Sequence, residues 1–135
     1  MYHNILVPIS FDPERDVTGP LKVARLLSAP GARVTLLHVI EQVPSYAISY
    51  IPADFMKDTR KALKAELDGL AQTLPNARGE LIEGHSGRTI LDWAEQNGPD
   101  LIILASHRPS MQDFLWGSTS GHVVRHASCA VHVVR

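Results

Sequence analysis

The chain has 135 residues, 44% of them hydrophobic and 20% charged, with a formal net charge of −1; that is enough for one domain, spanning 1–135, to bury a core without metal or disulfide help. The near-neutral balance offers no electrostatic footprint for nucleic acid or an anionic membrane, so neither is expected as a partner. Cys129 stands alone and cannot close an internal disulfide, Met1 leads directly into Ile5-Leu6-Val7 without a signal-peptide pattern, and the longest aliphatic run, Leu101 to Ala105, is far too short to cross a bilayer; no membrane insertion and a cytoplasmic location are the expectation.

In chain order, Asn4-Ile5-Leu6-Val7-Pro8-Ile9 predicts a first buried strand. Val17, Leu21, Ala24 and Leu27, at spacings of three and four, predict a helix with one apolar face. Pro20 belongs in its first turn or kinks it, and Ser28-Ala29-Pro30-Gly31 predicts the turn that ends it. Arg33 to Ile40 predicts the second strand. Glu41 to Pro52, with Pro44, Tyr46, Tyr50 and Pro52, predicts a long irregular connection of a kind that tends to be functional or mobile. Phe55, Leu63, Leu67, Leu70 and Leu74 stripe a longer helix that stops before Pro75-Asn76, and the weaker apolar segment Gly79 to Glu83 predicts a strand at a sheet edge. Ile90, Leu91, Trp93 and Ala94 mark a third helix, capped by Ser86 and ended at Asn97-Gly98-Pro99. Asp100 to Ala105 predicts another buried strand, a last helix runs from about Gly117-Ser118 to about His126, and Ala130 to Val134 closes the chain as a strand. Strands and helices alternate throughout. That order predicts an α/β fold, a Rossmann-like, doubly wound five-stranded parallel sheet in the strand order 3-2-1-4-5, with right-handed crossovers and helices on both faces.

Such sheets take ligands beyond the carboxyl ends of their strands, where the strand order reverses. Pro8-Ile9-Ser10-Phe11-Asp12 follows the first strand there. Ala105-Ser106-His107-Arg108-Pro109 follows the fourth, and Gly117-Ser118-Thr119-Ser120-Gly121 opens the last helix. A small residue, three hydroxyls and free helix amides suit a phosphate, with Arg108 able to add a charge-assisted contact. The same hydroxyls also read as plain helix caps, and by themselves they favour that reading. Neither G-x-x-x-x-G-K-[ST] nor G-x-G-x-x-G occurs.

From Ile5 to Arg135 the chain resembles the universal stress protein family, of the UspA-like kind, and particularly its short F and G type members. The resemblance is carried by Ile5-Leu6-Val7-Pro8, Leu36-Leu37-His38-Val39-Ile40, Glu83-Gly84-His85-Ser86, Asp100 through Arg108, Gly117-Ser118, Val123-Val124-Arg125-His126-Ala127 and the Cys129 to Val134 strand. ATP-binding members have a G-x-x-G-x9-G-[ST] motif after strand four. Gly117 and Ser118 match its end, Ala105 and Arg108 stand at its two earlier glycines, and the loop between is about one residue short. The resemblance implies adenine enclosed near Pro8 and Val39, with Ser10 standing where an Asp is usual and Asp12 off register. It thus implies a cofactor site of Pro8, Ser10, Val39, Ala105, Ser106, His107, Arg108, Gly117, Ser118, Thr119 and Ser120 for ATP or another adenine nucleotide, with magnesium arriving alongside it. It also implies a homodimer, or a tetramer, paired through the C-terminal strand, where Val131 and Val133 share one face.

Competing signals are weaker. His122 and His126 have a metal-binding spacing but no adjacent Cys, Asp or Glu cluster, so a solvated or interface pair is the simpler reading, and no metal site is expected. His107 suits phosphate binding or a backbone contact, and His38 suits a hydrogen-bonded core position. Gly117 to Gly121 has Thr119 where a nucleophile elbow needs serine. Asp92 and Glu95 read as a solvated face, and Phe114 and Trp116 as core, ligand cover or dimer contact. No catalytic residue emerges. The expected function is nucleotide binding coupled to stress adaptation in a regulatory or sensing role. Two alternatives stay open: a dimeric interaction protein whose nucleotide site has decayed, on the replacements at Ser10, Ala105 and Arg108, and a slow ATP hydrolase or autophosphorylating protein using Ser118 or Ser120.

Overall fold

The computed structural model describes residues 1–12, 16–105 and 118–135, and of Ser118 the backbone alone. Its strands are β1 (Tyr2–Pro8), β2 (Ser28–Ile40), β3 (Ala77–Glu83), β4 (Leu101–Ala105) and β5 (Ala130–Val134). Its helices are α1 (Thr18–Leu27), α2 (Ser45–Ile48), α3 (Ala53–Ala71), α4 (Ser86–Asn97) and α5 (Ser118–His126). The strands form one five-stranded sheet in the order β3-β2-β1-β4-β5, every neighbouring pair parallel. The order and the two-sided covering are those the alternation predicts.

Period-two geometry splits the apolar residues between two cores. Ile5, Val7 and Ile9 face the cluster that also holds Ala24 of α1 and Leu67 and Ala71 of α3. Leu6 faces the other, with Leu37, Ile102, Ile90 and Trp93 of α4, and Val123 of α5. β1 therefore has no solvent side, which is why its sequence reads as a continuous apolar run rather than an alternating one. Pro20 sits in the first turn of α1, and Gly98 ends α4 with φ 60, a left-handed position that glycine takes without a Cβ penalty.

Asp100 ties the start of β4 to the start of β1. Its carboxylate accepts the amides of His3 at 2.9 Å and Asn4 at 3.0 Å, while its own amide donates to the Asn4 carbonyl at 2.9 Å. Burial pushes this carboxyl's pKa upward, but the amides of His3 and Asn4 favour the charged form more strongly, and the net pKa lies below the usual carboxylate value. Depressed in the folded state, it contributes stability that is complete above the unfolded pKa of about 3.9 and is lost as pH falls through the folded value. Asp100→Asn is expected to cost about 1–2 kcal/mol at pH 7, with the gap to the parent chain narrowing below about pH 4. Urea titrations at neutral and acid pH check this; an equal gap at both would refute it. Burial, and after it the Asp100 charge, also pushes up the pKa of the half-buried Cys129 thiol, which favours its protonated form.

Four expectations are corrected. Ser28-Ala29-Pro30-Gly31 is not a separate turn: β2 starts at Ser28, and its pairing with β1 jumps from Tyr2↔Ser28 to Asn4↔Arg33. Gly31, at φ 77, takes the bend, while Ala29 and Ala32 stay buried. The Glu41 to Pro52 connection is not wholly irregular, since it carries the single-turn helix α2. Phe55 does not join the buried stripe of α3 and is 57% exposed; it stands twelve residues from Leu67, about 120° around the helix at 3.6 residues per turn. Ser86 is not the cap of α4. His85 occupies the N-cap position, and the Ser86 hydroxyl bonds to a different helix.

Candidate functional site

The carboxyl ends of β1, β2 and β4 meet the starting turns of α1, α4 and α5 around a cleft of about 250 Å³. This follows from the topology. The crossover helices after β1 and β4 lie on opposite faces, which leaves a crevice between β1 and β4 at the crest of the sheet. Of the sequence-predicted site residues, Pro8, Ser10, Val39, Ala105, Thr119 and Ser120 all line this one cleft. Ser118 opens α5 beside them. Ser106, His107, Arg108 and Gly117 lie outside the described residues, as do Phe114 and Trp116.

On the β1–β2 side the backbone is held past the strand end. The Ile9 amide donates to the Leu37 carbonyl at 2.8 Å, and His38 Nδ1 bonds the Ile9 carbonyl at 2.7 Å with its ring edge-on to Phe11. Half-buried His38 is therefore the hydrogen-bonded residue its apolar strand predicts, and it also lines the cleft. The Ser10 hydroxyl accepts the Asp12 amide at 3.3 Å, which turns the chain after β1. On the opposite side, the Ser86 hydroxyl meets the Thr119 hydroxyl at 2.7 Å, pinning the start of α4 to the start of α5. The buried Ser120 hydroxyl donates to the Ala105 carbonyl at 3.5 Å. Thr119 and Ser120 thus direct their hydroxyls to other elements, which differs from the plain capping alternative.

Three polar lining residues have roles that sequence reasoning missed. Asp16 accepts the amides of Thr18 and Gly19, each at 3.0 Å, and so caps α1. Its signal was present, an Asp two residues before a helical stretch. Glu41 lines the cleft where β2 runs out. Ser86 reads from the sequence as a cap, but its contact with Thr119 joins residues 33 apart in the chain and has no local signature. The result is a cleft with two carboxylates, Asp16 and Glu41, on the α1–β2 side and the positive amide ends of α4 and α5 on the other. That polarity suits a ligand with an anionic end and a neutral, hydrogen-bonding end.

Other candidates lie elsewhere. The rings of His122 and His126 approach at 4.7 Å between centroids on the exposed side of α5. Among the described residues, no three His, Cys, Asp or Glu side chains converge to hold a metal. Asp92 and Glu95 are exposed. No helix among the described residues is long and apolar enough to cross a membrane.

A doubly wound parallel sheet with a polar cleft at its topological switch point defines an α/β binding fold of Rossmann-like type. Residues 1–135 match the family model described as the universal stress protein family. Universal stress protein A homolog 2 of Coxiella burnetii is 32% identical, over 99% of this chain and 95% of that protein. Universal stress protein G of Escherichia coli O157:H7 is 27% identical over the full length of both. The chain belongs to the universal stress protein family. Among solved structures, universal stress protein UspA from Lactobacillus plantarum superposes with a TM-score of 0.74 at 26% identity, covering 99% and 98% of the two chains. The same fold occurs in the Archaeoglobus fulgidus protein in complex with dAMP, TM-score 0.65 and 16% identity over 99% and 98% of the chains. It occurs again in an Arabidopsis thaliana family protein with AMP bound, TM-score 0.61 and 16% identity over 98% and 90%.

Proposed function

We propose that this chain binds an adenine nucleotide, ATP or a close relative, in the cleft at the crest of its sheet. One observation carries the proposal. Pro8, Ser10 and Val39 face Thr119 and Ser120 across a single cavity, with helix amides at one end and carboxylates at the other. The neighbours of the same fold that hold AMP and dAMP support the choice of base. In this arrangement the base lies by Pro8 and Val39, and the phosphates lie at the start of α5, completed by Ser106, His107, Arg108, Gly117 and Ser118. Magnesium enters as the counter-ion of the phosphates, keeping much of its water shell.

The role is ligand binding in a regulatory or sensing capacity in stress adaptation, carried out in the cytoplasm by a single-domain chain. Homodimerisation goes through β5. In support, β5 is the outermost strand of the sheet, and one of its sides has no partner strand among the described residues. Val131 is already packed against the core under α4 and α5, and Val133 shares its face, so the dimer contact falls on the strand backbone.

Calorimetric titration of the purified chain with ATP, ADP, AMP and, as a control, GTP tests the nucleotide assignment. Saturable binding of the adenine series, with GTP weaker by about tenfold or more, is expected. No detectable binding by any of the adenine nucleotides would remove the assignment and leave the chain as a dimeric interaction protein.

A further inference from the structure

His122 and His126 stand four residues apart on α5, and both are exposed. Side chains at that spacing lie one above the other on a single helix face. Their rings approach at 4.7 Å between centroids and are tilted by 54°. Among the described residues, neither imidazole has a hydrogen-bond or ion-pair partner. The His122 ring also has a defined seat. It packs over Gly87 in the first turn of α4, where a Cβ would lie 3.0 Å from the ring's Cδ2 and 3.3 Å from the His122 Cβ. Glycine there leaves the ring room beside the neighbouring helix.

That separation fits a chelate. Two imidazoles bound to one zinc ion at about 2.0–2.1 Å place their ring centres about 4.5–5 Å apart. Little reorganisation therefore separates the observed pair from a ligated one. The surrounding charge does not oppose a cation. Besides the imidazoles, α4 and α5 carry Arg88 and Arg125 against Asp92 and Glu95, which leaves the two helices without net charge. His126 is the last residue of α5, where the helix dipole favours positive charge.

We propose that His122 and His126 form a two-imidazole surface site for a late first-row divalent ion, Zn2+ in particular. Imidazole suits Zn2+, Ni2+ and Cu2+, whereas Mg2+ and Ca2+ take oxygen ligands. Zn2+ has no geometric demand from its d electrons, so water completes a tetrahedral set about the two nitrogens. The bound ion clasps two successive turns of α5. Neither histidine lines the cleft, so the site is independent of the nucleotide reading.

The test uses the full-length, metal-free chain and zinc chloride in phosphate-free buffer without nucleotide. Calorimetry is expected to show one saturable ion per chain, and NMR of the imidazole nitrogens to show shifts at His122 and His126. Removing one of two linked donors forfeits the chelate, so His122→Gln and His126→Gln should each weaken binding about tenfold or more. Both positions are exposed, so the metal-free melting temperature should stay unchanged. His132→Gln, at an exposed position on β5, should bind as the parent chain does. No saturation by about 1 mM Zn2+ would overturn the proposal. So would unaltered affinity in either variant of the pair, which would put the ion elsewhere, such as at Cys129. One ion per two chains, with the particle mass doubling on zinc addition, would overturn the single-chain chelate in favour of a bridge between copies.

Discussion

Thr119→Asp is expected to weaken adenine-nucleotide binding about a hundredfold without lowering the melting temperature. Thr119 is half-buried in the first turn of α5 and lines the cleft, where the proposed phosphate lies. A carboxylate there faces like charge at about 5 Å, which at an effective dielectric near 20 costs about 3 kcal/mol before salt screening. For the fold the same charge is favourable, because an acidic residue in a helix's first turn interacts with the amide dipole for about 0.3–1 kcal/mol. Asp can also accept the Ser86 hydroxyl that Thr119 now meets. Affinity and stability therefore move separately, which a merely disruptive substitution would not achieve. Calorimetric titration paired with a thermal melt reads both. Undiminished affinity would place the phosphate somewhere other than the start of α5.

The largest stability effect is expected at Leu6. It is 0% exposed on the central strand β1, with Thr35 and Ile102 as its register partners on either side, and it packs in the core under α4 and α5. Leu6→Ala removes buried methyl groups and leaves a cavity that two flanking strands cannot collapse into, at a cost of about 2–5 kcal/mol. For a chain of this size that lowers the melting temperature by about 8–15 °C. Leu26→Ala, on the 65% exposed side chain of α1, is the matched control and should stay within about 0.5 kcal/mol. Urea denaturation of the two variants checks the contrast. Similar losses in both would mean that the core is not divided as the strand alternation indicates.

Much of the fold was legible in the chain because burial on both faces leaves a local mark. Ile5-Leu6-Val7 and Leu101-Ile102-Ile103-Leu104 are continuous apolar runs because each residue meets one core or the other. The β3 segment is polar at its flanks because it is an outer strand. Gly98 marks the end of α4 because few other residues take its left-handed φ. Local chemistry was misleading where it served tertiary packing. Ser28-Ala29-Pro30-Gly31 has the composition of a turn, yet two small buried alanines let it stay in the β2 strand as an irregularity. Phe55 is apolar but stands off the face that α3 buries.

By itself the sequence determined the alternation of strands and helices, the parallel sheet that follows from it, and the two chain segments, after β1 and at the start of α5, that could border a ligand. Those features depend on the residue's own polarity and on neighbours within a few positions. Only the tertiary structure decided which polar groups share the cleft. Asp16, Glu41, Ser86 and Thr119 come from four separate stretches, and the Ser86 and Thr119 hydroxyls take each other as partners because the fold brings the starts of α4 and α5 within hydrogen-bond reach. Ser86 could cap α4 or bond Thr119, and that competition between a local and a distant partner is settled by how α4 and α5 pack, which the order of residues along either helix does not encode.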